Sequence, residues 1–285
     1  MKLFQYWDTP LPPPEIARWV DGFRLHNSEF EHVLLNEATA DDFIARHYGQ
    51  REVRAFRACA VPAMQADFIR LCVIDTMVGI YVDADNQSLR PLAELIARAP
   101  HALTTTWLGQ LSNSFLMFRR PHNPFIRACL ALVLENIERR RFKSTFSATG
   151  PAVFCALQVV IDPLCTEKTL RAFGIATPEP LLAFNSEAIA DSVKVSPESG
   201  PGQASHERHW MTCKAEFLEL LQHARSLLAP TPELIAAFNC VTIVDTFEAS
   251  PWIGSDQPAY KRGDRHWFNW KGDIYRSMTP ACGPS

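Results

Sequence analysis

The residues of this chain best suited to do chemistry are the two acids of Asp83-Ala84-Asp85. They follow Ile80-Tyr81-Val82, whose β-branched and aromatic residues are typical of a strand. Side chains at positions i and i+2 of a strand end project to the same side, so the two carboxylates converge. Hard divalent cations prefer such oxygens and often share them with substrate phosphates. By itself the tripeptide is weak evidence, because about one D-x-D is expected by chance in a chain of this length.

A helix is predicted just upstream, from Pro62 to about Thr76, and Gly79 separates it from the strand. Asp67 and Arg70 are three residues apart on this helix, so they share a face and can hold each other in position. One interpretation is a surface ion pair of little energetic value. The other is a functional pair, in which the carboxylate binds sugar hydroxyls and the guanidinium binds an anionic donor.

The elements that must position these residues begin at the N-terminus with alternating strand and helix patterns. The predicted order is a strand at Leu3-Phe4-Gln5-Tyr6-Trp7, a helix opening at Pro14-Glu15, a strand at His32-Val33-Leu34-Leu35-Asn36 and a helix starting at Thr39-Ala40-Asp41-Asp42. This alternation indicates an α/β sheet with mostly parallel strands. In such sheets the ligand crevice lies at the carboxyl ends of the strands, where the acidic pair falls.

The rest of the chain continues the pattern with longer connections. We expect strands at 102–106, 114–118 and 240–244, and helices at 125–139 and 216–228. Residues 186–209 are polar and contain Pro197-Glu198-Ser199-Gly200-Pro201-Gly202, which predicts a long surface loop or insertion. We expect residues 1–285 to form a single domain.

Composition excludes several classes of protein. The 28 Lys and Arg residues against 31 Asp and Glu give a net charge of −3, which argues against nucleic-acid binding through a basic face. The longest aliphatic stretch, residues 129–134, is far shorter than the ~20 residues of a membrane span. The N-terminus meets Asp8 and then prolines before a signal peptide could form. The 8 scattered cysteines predict reduced, structural thiols, and we therefore expect a cytoplasmic location.

Segments spread over roughly residues 3–275 match, in order, the pattern of a known enzyme family. The central match is Ala66-Asp67, Arg70 and Gly79-Ile80-Tyr81-Val82-Asp83-Ala84-Asp85. The flanking matches are Tyr6-Trp7, Pro10, Trp19, Asn27, Val33-Leu34-Leu35, Asn113, Phe115-Leu116, His122-Asn123-Pro124, Thr149-Gly150-Pro151, Phe247, Pro251-Trp252 and His266-Trp267-Phe268-Asn269-Trp270. Together they resemble the DXD-containing glycosyltransferases of glycosyltransferase family 32. That group includes fungal initiating mannosyltransferases and is similar in fold to the large glucosylating bacterial toxins.

The resemblance implies a GT-A type fold, in which one nucleotide-binding α/β sheet with helical additions carries a divalent metal. It implies a hexosyltransferase that moves a sugar from a nucleotide-sugar donor to a glycan or glycolipid acceptor with retention, for instance in building a surface polysaccharide. The implied cofactor is Mn²⁺, with Mg²⁺ as the alternative. Retention requires no dedicated catalytic base, because the departing phosphate can take the proton of the acceptor.

The resemblance also implies roles for individual residues. Asp85 would be the direct metal ligand, and Asp83 would serve the ribose, the sugar or a metal-bound water. The other implied donor contacts are Asp67 and Arg70 at the transferred sugar, Trp7 at the base, Tyr81 in the donor site, and His266, Asn269 and Trp270 closing over the diphosphate. Trp267 and Trp270, on a mobile C-terminal segment, would supply a lid that excludes water.

Two departures from the family pattern leave the third metal contact open. The usual two glycines before the strand are reduced to Gly79 alone. The usual Gly-Ser-Trp ending is Phe268-Asn269-Trp270 here, so either the Asn269 amide or the His266 imidazole would complete the metal site. A third interpretation of His266 is a hydrogen-bonded or packed histidine.

Two rival functions and one surface feature also stay open. A non-catalytic protein of the same fold would bind a nucleotide sugar or glycan, and a nucleotidyltransferase would release pyrophosphate. Glu138-Arg139-Arg140-Arg141 and Lys143 form a basic cluster at a predicted helix end. The cluster is interpreted as a solvated helix terminus, or alternatively as a contact for an anionic acceptor or a membrane surface.

Overall fold

The fold is taken from a computed structural model, which describes residues 1–107, 110–162, 201–254, 259–262 and 266–277. The strands are β1 (Lys2–Tyr6), β2 (Glu31–Leu35), β3 (Gly79–Val82), β4 (Gln87–Ser88), β5 (Ala102–Trp107), β6 (Gln110–Phe118), β7 (Val241–Asp245) and β8 (Ile253–Gly254). The helices are α1 (Pro14–His26), α2 (Glu37–His47), α3 (Gln50–Ala58), α4 (Pro62–Thr76), α5 (Ala93–Ala97), α6 (Pro124–Glu138), α7 (Thr145–Ala148), α8 (Pro151–Ile161), α9 (Pro201–Leu227), α10 (Pro232–Asn239) and α11 (Thr246–Ala249).

Six strands form one mixed sheet in the order β2-β1-β3-β6-β5-β7. Strand β1 pairs in parallel with both β2 and β3, and β5 pairs in parallel with β7. Strand β6 is antiparallel to both of its neighbours, β3 and β5. The prediction of a mixed, mostly parallel α/β sheet is therefore confirmed. A second, two-stranded sheet pairs β4 with β8.

Helices cover both faces of the large sheet because successive strand residues alternate between two apolar clusters. Phe4 and Tyr81 belong to the larger cluster, which also contains the buried faces of α4, α6 and α8. Their strand neighbours Leu3 and Ile80 belong to the cluster on the other face, which includes residues of α1 and α5. With both faces covered, the edge at the carboxyl ends of β1 and β3 is where functional side chains can gather.

Gly79 is the one glycine of this central region whose lack of a side chain the sheet requires. A Cβ at this position would lie 2.9 Å from the carbonyl oxygen of Lys2 and 3.1 Å from the Phe4 ring. The single glycine retained before β3 therefore lets this strand pair closely with β1.

Two expectations for the helices were wrong. Asn36, not Thr39, caps α2: the Asn36 side chain accepts from the Thr39 amide and the Thr39 hydroxyl accepts from the Asn36 amide, a capping box. Residues 201–209, predicted as part of a surface loop, lie in α9, which begins at Pro201. Proline favours the first helical position because its fixed φ suits the helix and its missing N–H is not needed there. The remainder of the predicted loop, 186–200, lies outside the described residues.

The three arginines of the basic cluster after α6 are paired with acids and a backbone oxygen. Arg139 contacts Glu135 at 2.5 Å, and Arg141 contacts Glu219 at 3.4 Å. Arg140 donates to the carbonyl oxygen of Arg276 at 2.7 Å. These contacts favour a structural helix terminus over a surface for an anionic acceptor or membrane. Among the described residues, we find no helix with the length and apolarity needed to cross a membrane.

Among the five cysteines whose burial the structure describes, thiol labelling should separate the buried ones from the exposed one. Cys59, Cys72, Cys129 and Cys155 are buried, whereas Cys240 is exposed. Burial raises the pKa of each buried thiol, to about 12 for Cys155, so little reactive thiolate forms. We expect iodoacetamide at about pH 8 to alkylate Cys240 and spare the other four, as read by peptide mass spectrometry. Denatured protein is the control, and labelling of the four as fast as Cys240 in the native chain would contradict the packing.

Candidate active site

The acidic pair lies directly after β3, at the carboxyl edge of the sheet. The Asp83 amide donates to the carbonyl oxygen of Ser114 on β6 at 2.9 Å, and the Asn86 amide donates to the Asp83 carbonyl at 3.1 Å, which closes a turn. Ala84, between the two acids, is 3% exposed and packs with Ile16 and Val20 of α1. Pairing with β6, the turn and the packing of Ala84 therefore fix the backbone that carries both carboxylates.

Helix α4 delivers Asp67 and Arg70 to the same edge as a buried pair. The Arg70 Nη2 lies 3.2 Å from the Asp67 Oδ1, and the two side chains are 4% and 9% exposed. The interpretation as a surface ion pair is therefore wrong. Asp67 also accepts from the Asn113 side-chain amide at 2.8 Å and from the Thr149 hydroxyl at 2.9 Å. Both oxygens of this carboxylate are thus held in place.

Arg70 connects three parts of the fold, because its planar guanidinium contacts α4, β6 and the turn after β3 at once. Its Nη2 donates to the Asp83 Oδ1 at 2.8 Å, and its Nη1 donates to the Asn113 carbonyl at 2.6 Å. Its Nε donates to the Ala66 carbonyl at 3.2 Å, and the guanidinium carbon lies 4.8 Å from the centre of the Tyr81 ring. A guanidinium satisfied in this way fixes the position of the Asp83 carboxylate.

Burial and mutual repulsion shape the acidity of the carboxylates. Burial raises the pKa of Asp67, while Arg70 and the hydrogen bonds from Thr149 and Asn113 act in the opposite direction. The pKa of Asp83 is raised to about 7, chiefly by burial, with Asp85 and Asp67 adding to the rise and Arg70 opposing it. Removing charge-neutralising groups from this cluster is therefore costly, and adding positive charge to it is favourable.

Asp85 contacts a C-terminal turn that sequence reasoning did not assign to the site. The Tyr260 hydroxyl donates to the Asp85 Oδ2 at 2.5 Å, and the Lys261 Nζ lies 3.0 Å from the same oxygen. Both residues belong to the short 3₁₀ helix Ala259–Arg262. The Tyr260 ring also meets the Trp7 ring edge-on, with centroids 5.1 Å apart. This turn therefore links the acidic pair to the residue predicted to lie by the nucleotide base.

The closing segment lies next to this turn, and its predicted residues differ in their contacts. The His266 ring lies 5.9 Å from the Tyr260 ring, and its buried Nδ1 has no hydrogen-bond partner among the described residues. Burial and the neighbouring Lys261 lower the pKa of His266, which keeps the imidazole neutral. The Asn269 amide donates to the Lys261 carbonyl at 3.0 Å, so this side chain supports the turn that carries Lys261.

The two tryptophans predicted as a lid pack against the core. Trp267 and Trp270 are partly buried against the larger apolar cluster. The Trp270 indole donates to the carbonyl oxygen of Asp273 at 3.2 Å, which ties it to its own segment.

Most of the predicted site residues thus come together. The contacts described above join Trp7, Asp67, Arg70, Tyr81, Asp83, Asp85 and His266. Asn269 reaches the site through Lys261, and the contacts described for Trp270 are with Asp273 and the larger apolar cluster. No cluster of three or more His, Cys, Asp or Glu side chains suited to a metal ion is found within the described ranges.

Four residues of the site were not predicted to act there. Asn113 and Thr149 stand in the motifs of the resemblance, and their polar side chains on an apolar strand and beside a helix start were the available signal. Tyr260 and Lys261 carry no spacing signal, because the acid that they meet is far away in the chain, 175 positions from Tyr260.

Comparison with known proteins gives a match to a family model in sequence and distant matches in structure. Residues 13–102 match the family model described as "Glycosyltransferase sugar-binding region containing DXD motif". Among curated proteins, none matches the chain. The solved structure "PaToxG Glycosyltransferase" superposes with a TM-score of 0.46 and 14% identity over 79% of this chain and 86% of that chain. That structural likeness is too distant to bear on function, whereas the sequence match covers α1 through the acidic pair.

Proposed function

We propose that this chain is a metal-dependent glycosyltransferase that moves a sugar from a nucleotide-sugar donor to a glycan or glycolipid acceptor, with retention. The observation that carries the proposal is the buried Asp67–Arg70 pair, which holds the partly exposed Asp83 beside Asp85 at the carboxyl edge of the sheet. The match of residues 13–102 to a glycosyltransferase sugar-binding region supports it, because Asp67, Arg70, Asp83 and Asp85 all fall within that stretch.

The charges of the site fit a divalent cation. Three carboxylates, Asp67, Asp83 and Asp85, face two cationic side chains, Arg70 and Lys261. Asp85 already attracts a positive group, and hard cations prefer carboxylate oxygens. Asp85 and Asp83 would hold the metal, and the diphosphate of the donor would supply further oxygens, as is common for Mn²⁺ and Mg²⁺ sites. The cation would stabilise the negative charge that develops on the departing diphosphate.

The protein's own residues would hold and orient the donor. Arg70 keeps the Asp83 carboxylate fixed, so it needs no reorganisation when the donor binds. Asp67, held by Asn113 and Thr149, would accept hydrogen bonds from sugar hydroxyls. His266, whose Nδ1 has no hydrogen-bond partner within the described part of the chain and whose pKa is lowered, would contact the diphosphate. No carboxylate is assigned as a base, since in a retaining transfer the departing phosphate oxygen takes the acceptor proton.

Donor hydrolysis without an acceptor tests the proposal most directly. The full chain would be incubated with UDP-glucose, UDP-galactose, their N-acetyl forms and GDP-mannose, each with Mn²⁺ or EDTA. We expect one donor to release UDP or GDP with Mn²⁺ and not with EDTA. Absence of release from every donor, together with no metal-dependent shift of the melting temperature, would contradict the proposal and favour the non-catalytic binding protein. Release of pyrophosphate would favour a nucleotidyltransferase.

A further inference from the structure

The contact between Lys261 and Asp85 places a positive group of the chain itself at the acid proposed to bind the metal. The Lys261 Nζ lies 3.0 Å from the Asp85 Oδ2, and the two side chains are 22% and 18% exposed. The exposed pair of Lys2 and Glu31, with side chains 38% and 65% exposed, is a useful contrast. Ions and water screen the exposed Lys2–Glu31 pair, whereas they screen the partly buried Lys261–Asp85 pair much less.

The chain holds Lys261 in this position from two sides. Its carbonyl oxygen accepts a hydrogen bond from the Asn269 amide at 3.0 Å. The preceding residue, Tyr260, donates its hydroxyl to the same Asp85 oxygen and packs against Trp7. The turn is therefore anchored to the acid, to the closing segment and to the aromatic side of the site. The chain itself therefore supplies a positive group to Asp85 when no metal is bound.

The Asp85 Oδ2 already accepts the Tyr260 hydroxyl and lies against the Lys261 ammonium, so a divalent cation that binds this oxygen competes with that ammonium. A divalent ion binds a carboxylate oxygen at about 2.0–2.6 Å, which would bring it close to the Lys261 ammonium in its present position. Two positive groups at that separation in a partly buried site repel strongly. We propose that Lys261 is an internal counter-ion of Asp85, which a divalent cation must displace in order to bind, so that this lysine sets the metal affinity of the donor-free protein. The inference rests on the proposed metal-dependent function and adds the residue that regulates access to its metal.

Calorimetric titration of the full chain with Mn²⁺ in the absence of donor tests the exchange. We expect Lys261→Gln to bind Mn²⁺ about tenfold more tightly than the wild type, because the competing charge is gone. Lys261→Arg keeps the charge and should bind no more tightly than the wild type. Lys271→Gln is the matched control: it removes a positive charge from an exposed residue of the same segment, and its effect should stay within about twofold. Asp85→Asn reports whether the measured binding is at this acid.

The outcomes distinguish this inference from the proposed function. Tighter binding by Lys261→Gln alone, or binding by that variant when the wild type shows none, supports the exchange. If the wild type binds Mn²⁺ and Asp85→Asn does not, but Lys261→Gln binds equally or more weakly, the exchange is wrong and the metal site stands. If Mn²⁺ binds neither the wild type nor Lys261→Gln, the inference is overturned, and donor hydrolysis with Mn²⁺ or EDTA decides the proposed function separately. Equal gains in Lys261→Gln and Lys271→Gln would reduce the effect to net charge and overturn the inference.

Discussion

Asp85→Asn is expected to lower metal-dependent donor turnover by about 10²–10³-fold while leaving the fold intact. The substitution keeps the shape of the side chain, and the amide oxygen that it introduces can still accept the Tyr260 hydroxyl. It removes the negative charge through which Asp85 would hold the metal. Turnover would be measured as UDP or GDP release from the donor identified by hydrolysis, at saturating Mn²⁺, with circular dichroism and thermal unfolding as checks of the fold.

Asp42→Asn is the matched control for this experiment. Asp42 is an exposed acid on α2, so the same chemical change alters the net charge equally without touching the site. We expect its turnover to match the wild type, because solvent and ions screen the charge of an exposed side chain outside the site. Normal turnover by Asp85→Asn would remove this acid from the metal site and leave Asp83 as the remaining candidate.

The positions of Asp67, Arg70 and Asp83 were predictable because the sequence patterns that set them are local. The period of apolar residues, Pro62 at the helix start and Gly79 beyond its end gave the observed bounds of α4. Once β3 follows this helix, the positions of Asp67, Arg70 and Asp83 are set by helical and strand periodicity. Whether the Asp67–Arg70 pair is buried was not predictable, since burial depends on Asn113 and Thr149 from distant segments.

The contacts of the C-terminal turn were not predictable for the same reason. Tyr260 and Lys261 lie in a short 3₁₀ helix, which has no apolar period to detect. Their partner Asp85 is brought to them by the tertiary fold alone. The start of α9 shows a different limit: a polar stretch after Pro201 predicts a loop by composition, yet polar residues are compatible with a solvent-facing helix. Local composition therefore predicts strand and helix cores better than it predicts polar helices or contacts between distant turns.

Arg70→Met is expected to be the most destabilising single change in the site, by about 3–5 kcal/mol in the free energy of unfolding. The guanidinium contacts Asp67 at 3.2 Å and Asp83 at 2.8 Å, and methionine of similar length would leave both carboxylates without it. The cost is that of leaving buried charge unpaired, not the net worth of the ion pairs. Chemical denaturation of the metal-free protein measures it, and the melting temperature should fall by roughly 6–15 °C.

The pH dependence of Arg70→Met identifies the cause of the loss. Burial and neighbouring acids raise the pKa of Asp83 to about 7, and Arg70 opposes that rise, so removing Arg70 raises this pKa further. When an acid has a higher pKa in the folded than in the unfolded chain, the free energy of unfolding falls as the pH rises toward the folded pKa. The reason is that the unfolded chain releases its proton first. The difference in the free energy of unfolding between the wild type and Arg70→Met should therefore grow between about pH 6 and pH 8.5. In this range Asp83 ionises in the wild type but still holds its proton in the variant.

Two further variants separate unpaired buried charge from a general loss of packing at Arg70. Adding Asp83→Asn to Arg70→Met should recover part of the loss, because asparagine removes the cost of keeping that acid without its partner, whether by burying its charge or by holding its proton. Arg24→Met, which breaks an exposed pair with Asp21, should cost no more than about 1 kcal/mol at any pH. A deficit at Arg70 as small as this control, or one independent of pH, would mean that the guanidinium does not hold the carboxylates on which the proposed metal site depends.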